Sequence, residues 1–199
     1  MAKEQKKGTK SSAKAADKWK MKKTYDVMAP AIFNKTIVGQ VVAEDPKMLV
    51  GRTINTALGT ILNSNQHHIK IKLKIVNVNG FQAETEIIEI EVARGYLSSQ
   101  VGENATIIDY VVDVPVTKEH GLRVKVAIFS KDKIHRDQKK QLTKLCKETA
   151  LNVAKKQDLG QILQEFIFGK VGSQIFNKGK KIVPLRRVEI RKVEVRHVK

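Results

Sequence analysis

The stretch HIKIKLKIVNVNGFQAETEIIEIEV, from His68 to Val92, decides the fold. In its first half Ile69, Ile71, Leu73 and Ile75 alternate with Lys70, Lys72 and Lys74. Successive side chains of a strand point to opposite faces, so this alternation predicts a half-buried strand over His68–Val78. Asn79-Gly80 follows, a dipeptide that tolerates the positive φ of a tight hairpin turn. The return strand, Phe81–Val92, carries Glu84, Glu86, Glu89 and Glu91. Cross-strand pairing with these acids is one reading of the lysine row; an RNA-facing row is the other.

Outward from this hairpin the same grammar repeats. Thr36–Ala43 is β-branched and ends at an Asp45-Pro46 turn, and Leu49–Leu58 alternates weakly, with Ile54, Thr56 and Leu58 on one face. Ile107–Val116 and Leu122–Phe129 read as a second hairpin. Many strands joined by short turns predict an antiparallel β-sheet or small β-barrel core.

The period then changes. Between Arg136 and Lys156, Leu142, Leu145, Cys146, Thr149, Ala150 and Val153 recur at intervals of three and four, which predicts a helix. The same geometry gathers Arg136, Lys140, Lys144 and Lys147 on the opposite face. A face of one sign reads either as solvated or as made for phosphates. Asp158 and Gln161 have the spacing of a capping box, ahead of a helix with Leu159, Ile162, Leu163, Phe166 and Ile167 on one side. Gly169 or Gly172 interrupts it, and a short segment reaches Phe176.

The chain closes on KKIVPLRRVEIRKVEVRHVK, Lys180–Lys199. Val188 and Ile190 share one face of a strand, but Val193 and Val195 fall on the other. One extra residue at Arg191-Lys192, a β-bulge, restores a single apolar face and re-aims Arg191 and Lys192 out of the ladder. The expected architecture is therefore α+β. A basic extension, 1–23, precedes one domain, 24–199, that is mainly β over 36–129. Helices follow over about 136–177, and a closing basic strand runs over about 185–198.

Charge is distributed as unevenly as the pattern is regular. The 199 residues carry a formal net charge of +18. Residues 1–23 contribute +7 and residues 178–199 another +7, so the 154 residues between them hold only +4. Cationic ends on a nearly neutral body point to a polyanionic partner. Residues 1–16 lack aliphatic periodicity and are expected to order only against such a partner. Lys18, Lys20, Lys22 and Lys23 surround Trp19, with Tyr25 close behind. The two rings read either as platforms for unpaired bases or as anchors of the tail to the core. Arg186, Arg187, Arg191 and Arg196 are half of the eight arginines, and arginine forks onto phosphate oxygens.

Other chemistries find little support. Cys146 is the only cysteine and lies on an apolar stripe, so an internal disulfide or a thiolate metal cluster is excluded and a buried inert thiol is expected. The five histidines lack metal-ligand spacing. Gly169-Lys170-Val171-Gly172-Ser173 has neither the spacing nor the strand context of a phosphate loop. No catalytic residue, metal or cofactor is expected. The N-terminus lacks an apolar core of a signal peptide and no run has the length of a membrane span, so a cytoplasmic protein without membrane contact is expected.

Several segments resemble a known family. Asp17-Lys18-Trp19-Lys20, Tyr25, and Ala29-Pro30 through Phe33 resemble the start of the archaeal and eukaryotic small-subunit ribosomal proteins called S-three-a, or e-S-one. Asp45-Pro46, Gly51-Arg52 and Leu58 are similar to the next family segment, and Ala93-Arg94 and Gly121-Leu122-Arg123-Val124 also fit. Lys180 through Val193 is nearest to the family's closing motif, and the modest length resembles the archaeal type. The resemblance implies a β-rich domain with C-terminal helices on the platform of the small subunit, near the mRNA exit. Implied partners are small-subunit ribosomal RNA and neighbouring ribosomal proteins, with mRNA within reach. Combined with the charge pattern, it makes Lys18, Trp19, Lys20, Lys22, Lys23, Arg52, Arg136, Lys140, Lys144, Lys147, Lys180, Lys181, Arg186, Arg187, Arg191 and Lys192 the expected RNA-binding residues. Two rival readings are an RNA-processing or RNA-modifying enzyme with basic ends, and a free cationic RNA-binding adaptor.

Overall fold

A computed structural model describes residues 22–116, 120–154 and 159–197. Its centre is the hairpin over which the sequence is most regular. Strand β4 (Ile69–Asn79) and strand β5 (Gln82–Val92) pair antiparallel, joined through Gly80 and Phe81. The turn is thus one residue later than the Asn79-Gly80 reading. Gly80 takes φ 61° at its first position, a conformation open to glycine at no steric cost. Lys70 faces Glu91, Lys72 faces Glu89 and Lys74 faces Glu86 across the ladder, the register of cross-strand pairing, but among the described residues none of the three pairs closes to salt-bridge distance, and Glu89 instead holds Lys192. Ile88 is skipped where Leu73 meets Ile87 and Lys72 meets Glu89. This bulge keeps Ala83, Thr85 and Ile87, then Ile90 and Val92, on one buried face.

The other strands are β1 (Lys23–Met28), β2 (Ile37–Ala43), β3 (Thr53–Ala57), β6 (Ile107–Pro115), β7 (His120–Ser130) and β8 (Leu185–His197). They form one sheet in the order β2-β1-β5-β8-β7-β6, with β4 also on β5 and β3 on β4. The sheet is open, ending at β2, β3 and β6, rather than closed into a barrel. It is also mixed: β1 and β5 run parallel over Asp26–Met28 and Gln82–Glu84, while the other ladders among the described residues are antiparallel. The Thr85 hydroxyl donates to the Met28 carbonyl at 2.7 Å just where this parallel pairing ends.

The closing strand is not an edge. β8 pairs with β7 along its length and with β5 through Glu89–Glu91, joining the two halves of the sheet. Two residues drop out of its ladder with β7. Val126 pairs with Ile190 but Lys125 with Lys192, which leaves Arg191 as the bulge; Phe129 pairs with Arg187 but Ser130 with Leu185, which leaves Arg186 as a second. The Arg191 bulge brings Val188, Ile190, Val193 and Val195 onto the core as expected. Lys192 stays in register, so only Arg191 of that pair leaves the ladder.

Three helices cover the inner face: α3 (Arg136–Ala154), α4 (Leu159–Ile167) and α5 (Lys170–Gly179). Two short ones, α1 (Leu58–Leu62) and α2 (Arg94–Ser99), lie within the segment read as mainly β. Leu58 thus begins a helix instead of ending a strand. The start of α3 is fixed by the His135 N–H donating to Gln138 Oε1 at 3.1 Å, with Asp137 in the first turn. Gly169, at φ 69°, is the joint between α4 and α5; Gly172 lies inside α5, where a Cβ would stand 3.2 Å from the Val188 carbonyl. Asp158 and its capping box lie outside the described residues.

Burial divides into two clusters. The main core unites Leu142, Cys146, Ile162, Phe166 and Ile175 with Val124, Ile128, Leu73 and Val193 of the sheet. A smaller one holds Tyr25, Val27, Ala43, Leu49, Ile75 and Ala83. Tyr25 is therefore an anchor; its ring lies 5.9 Å from that of Phe81. No helix among the described residues is long and apolar enough to cross a membrane.

Candidate nucleic-acid interface

The helical period places the apolar stripe of α3 on the sheet and turns its cations outward. Arg136, Lys140, Lys144 and Lys147 are all exposed, and Lys139, which the sequence reading passed over, joins them. With Thr143 and with Tyr110 from β6 they line one shallow groove of about 410 Å³. Among the described residues none of these five cations has a carboxylate partner within salt-bridge distance. Tyr110 itself packs partly against the core, so its ring is held beside the lysines by the β6–α3 contact. The site is a fixed row of uncompensated charge along one wall.

The closing strand is different. Arg187 lies 2.5 Å from Glu189 and 5.5 Å from the centre of the Tyr96 ring, which in turn stacks on His68 at 4.1 Å. Burial and the neighbouring Glu189 raise the Tyr96 pKa, so the phenol keeps its proton and donates to that carboxylate. Arg191 reaches Asp109 at 3.2 Å. Lys192 is held by Glu89 at 2.7 Å and by Glu194 at 3.3 Å, and Glu194 also takes Lys125 at 3.0 Å and Arg196 at 3.2 Å. Burial works against ionising Glu194, yet the bonds from Lys125, Arg196 and Lys192 outweigh it and lower its pKa to about 2. Of the four cations singled out in this strand, Arg186 alone lacks an acidic partner among the described residues.

The remaining expected contacts scatter. Arg52 is exposed beside β3, and Lys180 and Lys181 are exposed just past the end of α5. Lys22 and Lys23 are exposed at the start of β1; Lys18, Trp19 and Lys20 lie outside the described residues. The α3 row was legible in the sequence because its period is local. Tyr110 was not, since nothing in β6 announces which helix it meets.

Cys146 is buried, and burial pushes its thiol up to about 12. Among the described residues no three His, Cys, Asp or Glu side chains come together as a metal site would need.

The profile of the ribosomal S3Ae family matches residues 10–198. Small ribosomal subunit protein eS1 of Methanothrix thermoacetophila is 36% identical over 181 residues, 90% of this chain and 86% of that protein. The protein of the same name from Archaeoglobus fulgidus is 35% identical over 187 residues, covering 92% and 89%. That of Desulfurococcus amylolyticus is 32% identical over 188 residues, covering 94% and 88%. A match over residues 10–198, with relatives 32–36% identical over most of the chain, leaves one conclusion: the chain belongs to the ribosomal S3Ae family.

Proposed function

We propose that this protein is a structural constituent of the small ribosomal subunit. It binds ribosomal RNA and neighbouring ribosomal proteins on the platform near the mRNA exit, in the cytoplasm, without catalysing a reaction. The observation that carries this reading is the α3 groove, where Arg136, Lys139, Lys140, Lys144 and Lys147 lack acidic partners among the described residues. Five like charges held along one wall repel each other in the free protein, and a phosphate backbone relieves that repulsion while releasing its counterions. The relatives named small ribosomal subunit protein support the same reading. On it, the cations of the basic extension, and Arg52, Lys180, Lys181 and Arg186, add peripheral phosphate contacts.

Sedimentation tests it. In a gently prepared lysate of the native organism the protein co-migrates with small subunits through a sucrose gradient and stays there at salt that strips loosely held cationic proteins. Recovery at the top of the gradient at low and high salt alike rejects the reading and restores the enzyme and free-adaptor alternatives.

A further inference from the structure

A second groove, of about 620 Å³, lies on the other side of β8, between α4–α5 and the β4–β5–β8 surface. It falls within the roughly 300–1,000 Å³ of sites that enclose a small ligand. Unlike the α3 groove, it has a varied wall, in which Arg186 and Arg187 stand with a single acid, Glu189. Phe168 stands at its rim, 55% exposed although it is a large aromatic ring. Gln66, His68 and Asn177 line it with side chains that make no hydrogen bond among the described residues. Arg186, ejected from the ladder by its bulge, lies at the same groove.

From these features we infer that the groove takes a single unpaired nucleotide base of RNA. A ring provides a stacking face, amides and an imidazole offer donors and acceptors to a base edge, and an unpaired guanidinium suits the adjoining phosphate. A paired base cannot enter, because its edge is already used and its faces are stacked. This inference rests on the RNA-binding function proposed above and adds to it: the α3 wall holds backbone of any sequence, whereas this groove selects for single strand.

The test uses the full chain and two probes in fluorescence anisotropy at fixed salt: a labelled poly-uridine strand and a blunt RNA duplex of equal phosphate number. Phe168→Ala is expected to weaken binding of the strand about tenfold, the loss of one stacked base, and to leave duplex binding unchanged. The double variant Gln66→Ala with Asn177→Ala, which leaves the ring in place, is expected to weaken the strand in the same selective way. Equal losses on both probes, or none on either, overturn the inference while leaving RNA binding standing. Failure of the wild-type chain to bind either probe overturns the RNA-binding reading and this inference with it.

Discussion

Arg191 Nη1 lies 3.2 Å from Asp109 Oδ2 although a whole strand, β7, separates β8 from β6. The contact exists because Arg191 is the extra residue of a bulge and is turned out of the ladder. The residue has two separable roles: its side chain makes a surface ion pair, and its backbone shifts the phase of everything after it. Arg191→Ala removes only the first. Both partners are substantially exposed, so it should cost less than about 1 kcal/mol. Deleting residue 191 instead moves Val193, now 1% exposed, and Val195 to the opposite face. Losing that burial should cost more than about 3 kcal/mol. Urea midpoints of the two variants check this; similar midpoints would show that the bulge does not set the phase.

Glu194 gives the closing strand a pH dependence. Its carboxyl is lowered from an ordinary 4.5 to about 2, because Lys125, Arg196 and Lys192 hold the charged form more strongly than burial disfavours it. Folding therefore favours the ionised group, and the stabilisation is complete above pH 4.5 and drains away as pH falls toward 2. Glu194→Gln should destabilise the protein at neutral pH by about 2 kcal/mol, leaving three cations short of a partner. Thermal melts of both proteins across the acid range should converge as the wild-type carboxyl takes up its proton. A gap that persists at the acid end would mean that the network adds nothing through charge.

How much of this could be read in the chain depended on the range of the interaction. The β4–β5 hairpin, the α3 stripe and the Arg191 bulge are periodic within ten or twenty neighbouring residues, and all three are where their periods place them. The Ile88 bulge left the same signature, since Glu84 and Glu86 are out of phase with Glu89 and Glu91. β1 was missed because Tyr25 and Val27 alternate for too short a run before Pro30, and its parallel pairing with β5 is a purely tertiary choice. Lys192 shows the same limit at a site. As a lysine in a basic strand it looked available, yet Glu89 comes from a strand about a hundred residues earlier to hold it.

Cys146 should be chemically silent in the folded protein. It is fully enclosed between α3 and the core, and with its pKa near 12 the thiolate that attacks disulfide reagents is scarce. A colourimetric thiol reagent at neutral pH is expected to react slowly with the native chain and fast once denaturant unfolds it. Immediate stoichiometric labelling of the native protein would place Cys146 outside the core.

The two cationic surfaces should respond differently when their charges are removed. On α3, Arg136, Lys140, Lys144 and Lys147 have no acidic partner among the described residues, so phosphate has no competitor for them. On β8, Arg187 and Lys192 already face Glu189, Glu89 and Glu194, so turning either toward RNA breaks an existing pair. Replacing the four α3 residues by alanine should flatten the dependence of log K on log salt by roughly three for RNA, since each phosphate contact contributes about 0.7–0.9 to the slope. Replacing Arg187 and Lys192 together should change the slope by less than about one, and should lower the melting temperature because Glu89 and Glu189 lose their partners. Equilibrium binding of a small-subunit RNA fragment over a salt series separates the two. An unchanged slope in the α3 variant would remove that helix from the interface, and a larger change in the β8 variant would mean that RNA competes successfully with the sheet's own acids.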